Sequence, residues 1–307
     1  MPEIVDALVI GGGPAGLSAA LNLARYDRTV SLFDAGGGRS SHRQVNRNYL
    51  GFPGGIAAAQ LRRHGREQLA EYDHVRCFDD RVASVGRADG AFVVRTDEGA
   101  GSHGGRALVL CTGVEDRFPS FEGAEAYVGA GMFWCITCDG YEVRGKRVVV
   151  VGHSDGAAIE ALQLWRLTPQ VTMLTNSDRV TIGDELCRRL TWAGIDVLDE
   201  RLTGLSGRPG DVRAVRTASG RELPADAVFV VQGAAPRTSL ARSLGVALAD
   251  TGWIAVDTEQ RTNVPGIFAA GDVTSVHSHQ VATAVHEGNQ AAAAANHSLY
   301  PQELRYP

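Results

Sequence analysis

The start of the chain holds a pattern that few folds accommodate. Ile4 to Ile10 is a β-rich apolar run, the glycine turn Gly11 to Gly16 follows at once, and Leu17 to Ala24 continues as a helix. This order puts backbone N–H groups and the positive end of a helix at one point, which suits a pyrophosphate. The next strand, Thr29 to Phe33, ends at Asp34, where an acid can bind ribose hydroxyls. The sequence therefore predicts a dinucleotide-binding βαβ unit.

A second pattern of the same kind begins near the middle of the chain. Arg147 to Val151 is an apolar strand, Gly152 to Ala157 is a turn, a helix continues through Leu167, and Val171 to Leu174 is the next strand. With 307 residues, 44% of them hydrophobic, and 37 glycines, the chain can form two such domains. We therefore predict an α/β fold with two nucleotide-binding, Rossmann-like domains.

The charge and hydropathy of the chain limit the kinds of partner that it is expected to bind. The formal net charge is -5, which gives no general case for nucleic acid or an anionic membrane as a partner. The N-terminus has no basic region ahead of a long apolar run, and no stretch reaches the roughly 20 apolar residues of a membrane helix. We therefore expect a cytoplasmic protein that binds neither nucleic acid nor membrane.

Two cysteines near the middle of the chain are the candidate reactive centre. Cys135 and Cys138 are followed at once by Asp139. This spacing suits a dithiol that cycles with a disulfide, because each sulfur reaches the other while both remain open to attack. Half of a zinc site and an incidental buried pair are the competing interpretations. A zinc site needs a second Cys/His pair, whereas the other cysteines stand alone: Cys77, Cys111 and Cys187. We predict redox chemistry and no metal.

The remaining segments are interpreted from their periodicity. Gly36 to Gly55 is loop-rich, Ile56 to Tyr72 is typical of an amphipathic helix, and Ala107 to Gly113 is typical of a buried strand ending in a small-residue turn. The alternating segments Arg81 to Val85 and Ala91 to Arg95 predict strands of a smaller antiparallel sheet.

Four motifs together resemble one enzyme family. The glycine turn from Gly11, the segment Asn48 to Gly55, the dithiol segment Cys135 to Tyr141 and the closing Gly266 to Val273 occur in the order and spacing of the low-molecular-weight thioredoxin reductases. The resemblance covers nearly the whole chain. It implies an FAD-dependent disulfide oxidoreductase that acts as a homodimer and passes electrons to thioredoxin or a similar disulfide.

The resemblance also implies the domain organisation. Residues 1–115 and 243–307 would form an FAD-binding domain from the two ends of the chain. Residues 116–242 would form an inserted pyridine-nucleotide-type domain that carries the cysteine pair.

Cofactor contacts follow from the same resemblance. The turn that would hold the FAD pyrophosphate consists of Gly11, Gly13, Pro14, Ala15 and Gly16. Asp34 would bind the adenosine ribose, and Asp272 the ribityl chain. Gln280 and Val281 would approach the isoalloxazine ring. Further contacts around the cofactor are implied for Asn48, Val82, Thr112, Gly113, Gly271 and His279.

The family also implies separate roles for the residues of the dithiol segment. Cys138 would face the flavin and exchange electrons with it, and Cys135 would attack the substrate disulfide. Asp139 would act as the nearby proton donor and acceptor. A cap at the start of a helix is the alternative role of Asp139.

Departures from the family pattern bear on the electron donor. The family has glycines at the positions of His153 and Ser154. It also has arginines that bind a 2′-phosphate where this chain has the segment Thr175–Ser177 and then Thr181. Each charge-assisted hydrogen bond from arginine contributes roughly 1.5 to 3 kcal/mol, so the loss of several predicts a donor other than NADPH. No acid at Thr175–Ser177 takes the ribose hydroxyls of NADH either.

This combination resembles thioredoxin reductase-like flavoproteins that have lost pyridine-nucleotide use, among them the deeply rooted and the ferredoxin-dependent branches. Three enzymatic interpretations stay open: a disulfide reductase served by ferredoxin or another reduced donor, a dithiol oxidase that forms a disulfide in a small molecule or peptide, and an ordinary NADPH-dependent reductase with a divergent site. A flavin-binding protein without turnover is a fourth, which the intact cysteine pair opposes.

Histidines and C-terminal tyrosines are further candidates for residues near the flavin. His279 stands where the family usually has arginine. Together with His277 and His286 it could suggest a metal, but their spacing favours a flavin-facing helix start, and we predict no metal. Some relatives stack a C-terminal aromatic residue on the flavin, so Tyr300 or Tyr306 could cover it, whereas a frayed terminus is the alternative.

Overall fold

The computed structural model describes residues 3–42, 44–98, 101–275 and 278–304. In chain order its strands and helices are β1 (Ile4–Ile10), α1 (Pro14–Arg25), β2 (Val30–Phe33), β3 (Val45–Asn46), β4 (Ile56–Ala57), α2 (Ala58–Leu69), β5 (Val75–Phe78), β6 (Val82–Ala88), β7 (Ala91–Thr96), β8 (Ser102–Leu110), β9 (Val114–Asp116), β10 (Met132–Phe133), α3 (Ile136–Asp139), β11 (Val148–Val151), α4 (Asp155–Trp165), β12 (Val171–Leu174), α5 (Asp184–Trp192), β13 (Asp196–Leu198), β14 (Leu202–Arg208), β15 (Asp211–Thr217), β16 (Glu222–Pro224), β17 (Ala227–Val230), β18 (Ala234–Pro236), α6 (Ser239–Ser243), β19 (Ile267–Ala269) and α7 (Val281–Leu299). Short 3-10 turns occupy Arg39–Ser41, Ala124–Tyr127, Gly140–Val143 and Gln302–Leu304.

The chain divides into two compact units. The first comprises residues 1–42, 56–115 and 235–307, and the second comprises residues 43–55 and 116–234. Each unit contains a sheet with a run of parallel strands and helices beside it, so the predicted α/β fold with two Rossmann-like units is confirmed. Within the described residues, no helix combines the length and the apolar character needed to cross a lipid bilayer.

The first unit is built on a sheet in the order β5-β2-β1-β8-β7-β6, with β19 paired to β8. Strand β1 runs parallel to both neighbours, with Ala7 opposite Val30 on β2 and opposite Ala107 on β8. Helices α1 and α7 pack closely, since a Cβ on Gly288 would lie 2.2 Å from the carbonyl oxygen of Ala15. This packing supports the glycine turn that precedes α1.

The predicted separate antiparallel sheet is wrong. Strands β6 and β7 do form, but β7 pairs antiparallel with β8, and β8 pairs in parallel with β1, so all belong to one sheet. Glycines allow the junction: Gly104 and Gly105 pair with both neighbours, and a Cβ on Gly105 would lie 2.5 Å from Cγ of Leu8. Their missing side chains leave room for the strand to serve both partners.

The second unit has a parallel sheet in the order β10-β17-β11-β12-β13 and a separate antiparallel sheet β14-β15-β16. Strand β11 is buried throughout and lies between β12 and β17, with Val148 opposite Val171 and Ala227. Helix α4 ends at Trp165, slightly earlier than predicted. Pro169 follows shortly after, and the residue before a proline disfavours helical geometry.

Helix α2 and strand β8 also differ from their predicted bounds. Helix α2 begins at Ala58 and ends at Leu69, whereas the prediction ran from Ile56 to Tyr72. Strand β8 ends at Leu110, so Thr112 and Gly113 lie beyond it in a turn. Gly113 has φ +65°, a left-handed conformation that favours glycine and ends the strand.

Candidate active site

Cys135 and Cys138 are joined by a disulfide, with their Cα atoms 5.3 Å apart. The single turn of α3 brings them together, because the Cys138 N–H donates to the carbonyl oxygen of Cys135 at 3.2 Å and to its Sγ at 3.2 Å. With both sulfurs bonded to each other, neither is available as a zinc ligand in this state. No group of three or more metal-ligating side chains occurs among the residues the structure describes. The disulfide between two cysteines separated by two residues suits thiol–disulfide exchange.

Asp139 is a buried carboxyl directly after the disulfide. Its side chain is 2% exposed, and Oδ2 has no hydrogen-bond partner in the described part of the chain. It makes no capping hydrogen bond to the 3-10 turn that follows, so capping does not explain it. Burial raises the pKa of Asp139 to about 7, which Arg47 opposes and Glu142 supports. A carboxyl with this pKa can give or take a proton near neutral pH.

Aromatic residues flank the disulfide on both sides in sequence. Trp134 packs edge-on against Phe118, with ring centroids 5.7 Å apart. Tyr141 is 70% exposed, and the guanidinium of Arg144 lies 4.8 Å from its ring centroid. Trp134 therefore has a packing role, whereas Tyr141 offers an apolar surface beside the reactive pair.

The first glycine turn fits a pyrophosphate. A Cβ on Gly16 would lie 1.8 Å from the carbonyl oxygen of Gly11, and one on Gly11 would lie 2.1 Å from that of Cys111. Helix α1 starts with Pro14 in its first turn, has no acid there, and receives no side-chain cap at Gly13. The N–H groups at the helix start are thus left for an anion, and a bound FAD would be held here.

Asp34 ends β2 as predicted for a ribose ligand. Its Oδ1 accepts the Gly36 N–H at 3.1 Å, and its Oδ2 lies 3.5 Å from Nη1 of Arg62. A Cβ on Gly12 would lie 2.5 Å from the same carboxylate, which places Asp34 against the glycine turn. Val82 begins β6 in the same unit.

Asp272 belongs to a second group of predicted contacts in the same unit. One small pocket is lined by residues that include Gly271, Asp272, His279 and Glu287. A Cβ on Gly271 would lie 2.8 Å from Cβ of Ala15, so this pocket adjoins the start of α1. Glu287 is buried and its Oε2 accepts the Gly271 N–H at 2.7 Å, which fixes the turn.

The other predicted cofactor residues are more dispersed. Thr112 Oγ1 donates to the carbonyl oxygen of Arg237 at 2.6 Å. Gln280 is the N-cap of α7 and Val281 its first residue, while His279 stacks on Trp253 with ring centroids 6.0 Å apart. Asn48 lies in the segment 43–55, which clusters with the second unit rather than the first. Its role toward the flavin stays a prediction.

Arg39 is a candidate FAD residue that sequence reasoning missed. Its Nη1 lies 2.6 Å from Oδ2 of Asp272. The adjacent Ser40 places its Oγ 3.9 Å from the position a Cβ on Gly13 would take. Arg39 therefore contacts Asp272, and its neighbour Ser40 lies beside the glycine turn. The signal for it in the sequence was weak: a cation directly after three glycines, Gly36 to Gly38.

We expect Arg39→Met to weaken FAD binding by about tenfold or more, the loss that follows from one charge-assisted hydrogen bond. Without the guanidinium, the carboxylate of Asp272 would stand uncompensated beside a pyrophosphate. Fluorescence titration of the apoprotein with FAD measures the change. Arg63→Met is the matched control, because Arg63 pairs with Glu67 on the exposed face of α2. Equal FAD affinities for the two variants would contradict the assignment.

The second glycine turn is partly filled by its own chain. The Thr181 N–H donates to the carbonyl oxygen of His153 at 2.7 Å, and the Gly183 N–H to Oδ1 of Asp155 at 2.8 Å. Thr181 and Gly183 are therefore hydrogen-bonded to the second glycine turn. Nδ1 of His153 is buried without a hydrogen-bond partner in the described residues, and Asp155 puts an acid in the first turn of α4. An acid there disfavours a bound phosphate.

The side chains at the predicted 2′-phosphate positions form hydrogen bonds within the chain. Thr175 is buried and its Oγ1 donates to Oδ1 of Asp199 at 2.8 Å. Asn176 Oδ1 accepts the Leu202 N–H at 2.9 Å, and Ser177 Oγ donates to the carbonyl oxygen of Arg179 at 3.1 Å. None of the three side chains offers a cation.

Tyr300 does not reach the residues assigned to the flavin ring. Helix α7 has 19 residues and is about 28 Å long, with Gln280 at its start and Tyr300 at its end. At that far end the guanidinium of Arg28 lies 4.9 Å from the Tyr300 ring centroid. Tyr306 and His277 lie outside the described residues.

Comparisons with known proteins place the whole chain in a family. The family model for pyridine nucleotide-disulphide oxidoreductases matches residues 5–288. A thioredoxin reductase of Treponema pallidum is 34% identical over 94% of this chain and 95% of its own length. Among solved structures, a thioredoxin reductase of Streptococcus pyogenes has a TM-score of 0.89 at 28% identity, covering 97% of this chain and 99% of the other.

An atypical thioredoxin reductase of Desulfovibrio vulgaris Hildenborough is 35% identical with a TM-score of 0.53, covering 95% of this chain and 97% of its own. The resemblance to thioredoxin reductases in the sequence is thus confirmed at the level of the family. With a Cys-x-x-Cys disulfide and two Rossmann-like units in place, the chain belongs to the pyridine nucleotide-disulphide oxidoreductases and is a flavoprotein disulfide oxidoreductase of the thioredoxin reductase type.

Proposed function

We propose that this enzyme passes electrons from a bound FAD through the Cys135–Cys138 pair to thioredoxin or a similar disulfide, as a homodimer, and that its donor is ferredoxin or another reduced donor rather than NADPH. The observation that carries the proposal is the disulfide followed by the buried Asp139, with a pKa raised to about 7. A proton source at this place is what a dithiol needs to release a substrate thiolate as a thiol.

FAD supplies two electrons to the disulfide when it is bound. Two-electron reduction of the Cys135–Cys138 bond, with uptake of one proton, would leave Cys135 as a thiolate and Cys138 as a thiol. Cys135 then attacks the substrate disulfide as a thiolate, forming a mixed disulfide, and the first substrate sulfur leaves and takes a proton from Asp139. The ionised Asp139 then takes the proton of Cys138. The Cys138 thiolate attacks Cys135, which restores the original bond and releases the second substrate sulfur as a thiolate.

The second glycine turn supports a donor other than NADPH. Thr181 and Gly183 are hydrogen-bonded to His153 and Asp155 of this turn, and Asp155 puts a negative charge at the start of α4. Arg201 pairs with Asp178. NADPH carries a 2′-phosphate that needs such cations free, and NADH needs a carboxylate for its ribose.

The direction of electron transfer and its route through the cysteine pair can be tested without a natural electron donor. The FAD-loaded enzyme is reduced anaerobically by light and an inert photosensitiser, and oxidised thioredoxin is then added. We expect one thioredoxin disulfide to be reduced for each two electrons stored, with recovery of the oxidised flavin absorbance. The double variant Cys135→Ser/Cys138→Ser should retain its electrons. Failure of the unmodified enzyme to reduce thioredoxin, together with oxidation of reduced dithiols at the expense of oxygen, would contradict the proposed direction.

A further inference from the structure

The surroundings of Asp139 include a charged group from a distant segment of the chain. Its carboxyl follows the disulfide on α3, and the next residue, Gly140, packs against Ile136 and Leu167. Two charged groups act on it: the guanidinium of Arg47 and the carboxylate of Glu142. Glu142 belongs to the 3-10 turn directly after Asp139, whereas Arg47 follows β3, far away in sequence.

Arg47 and Glu142 are themselves paired. Nε of Arg47 lies 3.5 Å from Oε1 of Glu142, with the side chains 44% and 39% exposed. The aliphatic part of Arg47 packs over Gly55, where a Cβ would lie 2.9 Å from its Cγ. Gly55 has φ +87°, a conformation that side chains rarely adopt, so the backbone itself leaves this space. Arg47 is thereby held at the dithiol segment.

We propose that the Arg47–Glu142 pair controls proton delivery by Asp139 to the dithiol, with Arg47 favouring the ionised carboxylate and Glu142 opposing it. The inference rests on the proposed role of Asp139 in the disulfide chemistry. Arg47 and Glu142 touch neither the substrate nor the sulfurs in this account, and both are positioning residues.

The physical reason is a balance between burial and charge. A buried carboxyl without a cation stays protonated, and it then fails to take up the proton that must be returned during the next turnover. Beside an unopposed arginine it stays ionised and cannot protonate a leaving thiolate. Burial raises the pKa of Asp139 to about 7, and Arg47, whose charge is partly offset by Glu142, opposes that rise, so the pKa lies near neutral pH, where general acid–base catalysis is most efficient.

The titration of Asp139 can be followed directly in the FAD-loaded, oxidised protein. Aspartate is labelled with ¹³C at the side-chain carboxyl, and the Asp139 signal is assigned by its loss in Asp139→Asn. We expect Arg47→Gln to raise the measured pKa by about half a unit or more, and Glu142→Gln to lower it by a similar amount. Arg47→Lys should stay close to the unmodified protein, because it keeps the charge.

Arg144→Gln is the matched control, since Arg144 lies in the same segment but over the Tyr141 ring. An unchanged Asp139 titration in Arg47→Gln, or an equal rise in Arg144→Gln, would overturn the inference. Should Arg47→Gln lose its FAD or its fold, Glu142→Gln decides, because an unchanged or raised pKa there also overturns it. The oxidised protein needs no donor or substrate for this titration, so a failure of the proposed function leaves the result readable.

Discussion

Cys135→Ser is expected to lower the rate of thioredoxin reduction by about a thousandfold or more, because the attacking thiolate is lost. The same variant should acquire a long-wavelength charge-transfer absorption. With Cys135 absent, Cys138 cannot form its disulfide and remains as a thiolate next to oxidised flavin, in the orientation that the family resemblance implies. Anaerobic absorption spectra of the purified, FAD-loaded variant measure this band.

Cys138→Ser should lose turnover to a similar extent but show no such band. Cys187→Ser is the matched control, because Cys187 is an exposed free thiol on α5, and it should keep both the activity and the spectrum of the unmodified protein. Equal charge-transfer bands in the Cys135 and Cys138 variants would refute the assignment of their roles.

Substitutions at the second glycine turn are expected to have the other large effect, on the affinity for NADPH. His153→Gly and Ser154→Gly, combined with Ser177→Arg and Thr181→Arg, should strengthen NADPH binding by about a hundredfold or more, because two charge-assisted bonds to the 2′-phosphate are gained. Asn176 is kept, since it has φ +50° and its side chain accepts the Leu202 N–H. Isothermal titration with NADPH and with NADH gives both affinities.

The control carries the same two glycines with glutamine at positions 177 and 181. It should gain little preference for NADPH over NADH, because glutamine adds length without charge. If the arginine variant binds NADPH no better than this control, the missing cations are not what excludes NADPH. Binding without flavin reduction would place a further block outside this turn.

The two βαβ units were predictable because their signals are local. Strand, glycine turn and helix follow one another directly at Gly11–Gly16, and the disulfide needs only the short spacing of Cys135 and Cys138. The joining of β6 and β7 to the main sheet was missed, since it depends on Gly104 and Gly105 serving two partners at once. Local alternation alone cannot show which sheet a strand joins.

The ion pairs at the candidate sites could not be predicted from the sequence either. Arg39 meets Asp272 across 233 positions of sequence, and Arg47 meets Glu142 from a separate segment. A single sequence shows the charges but not which of many acids each arginine meets, because surface arginines most often have no fixed partner. The positions of these pairs therefore had to come from the fold.

Rapid anaerobic mixing of the unmodified, FAD-loaded enzyme with NADPH, NADH and reduced ferredoxin, each offered separately, tests the central claim most directly. We expect the flavin absorbance to bleach with a reduced donor of the ferredoxin kind and to stay unchanged with either nicotinamide at micromolar concentration. Bleaching by NADPH within seconds would contradict this account of the second glycine turn and of the electron donor.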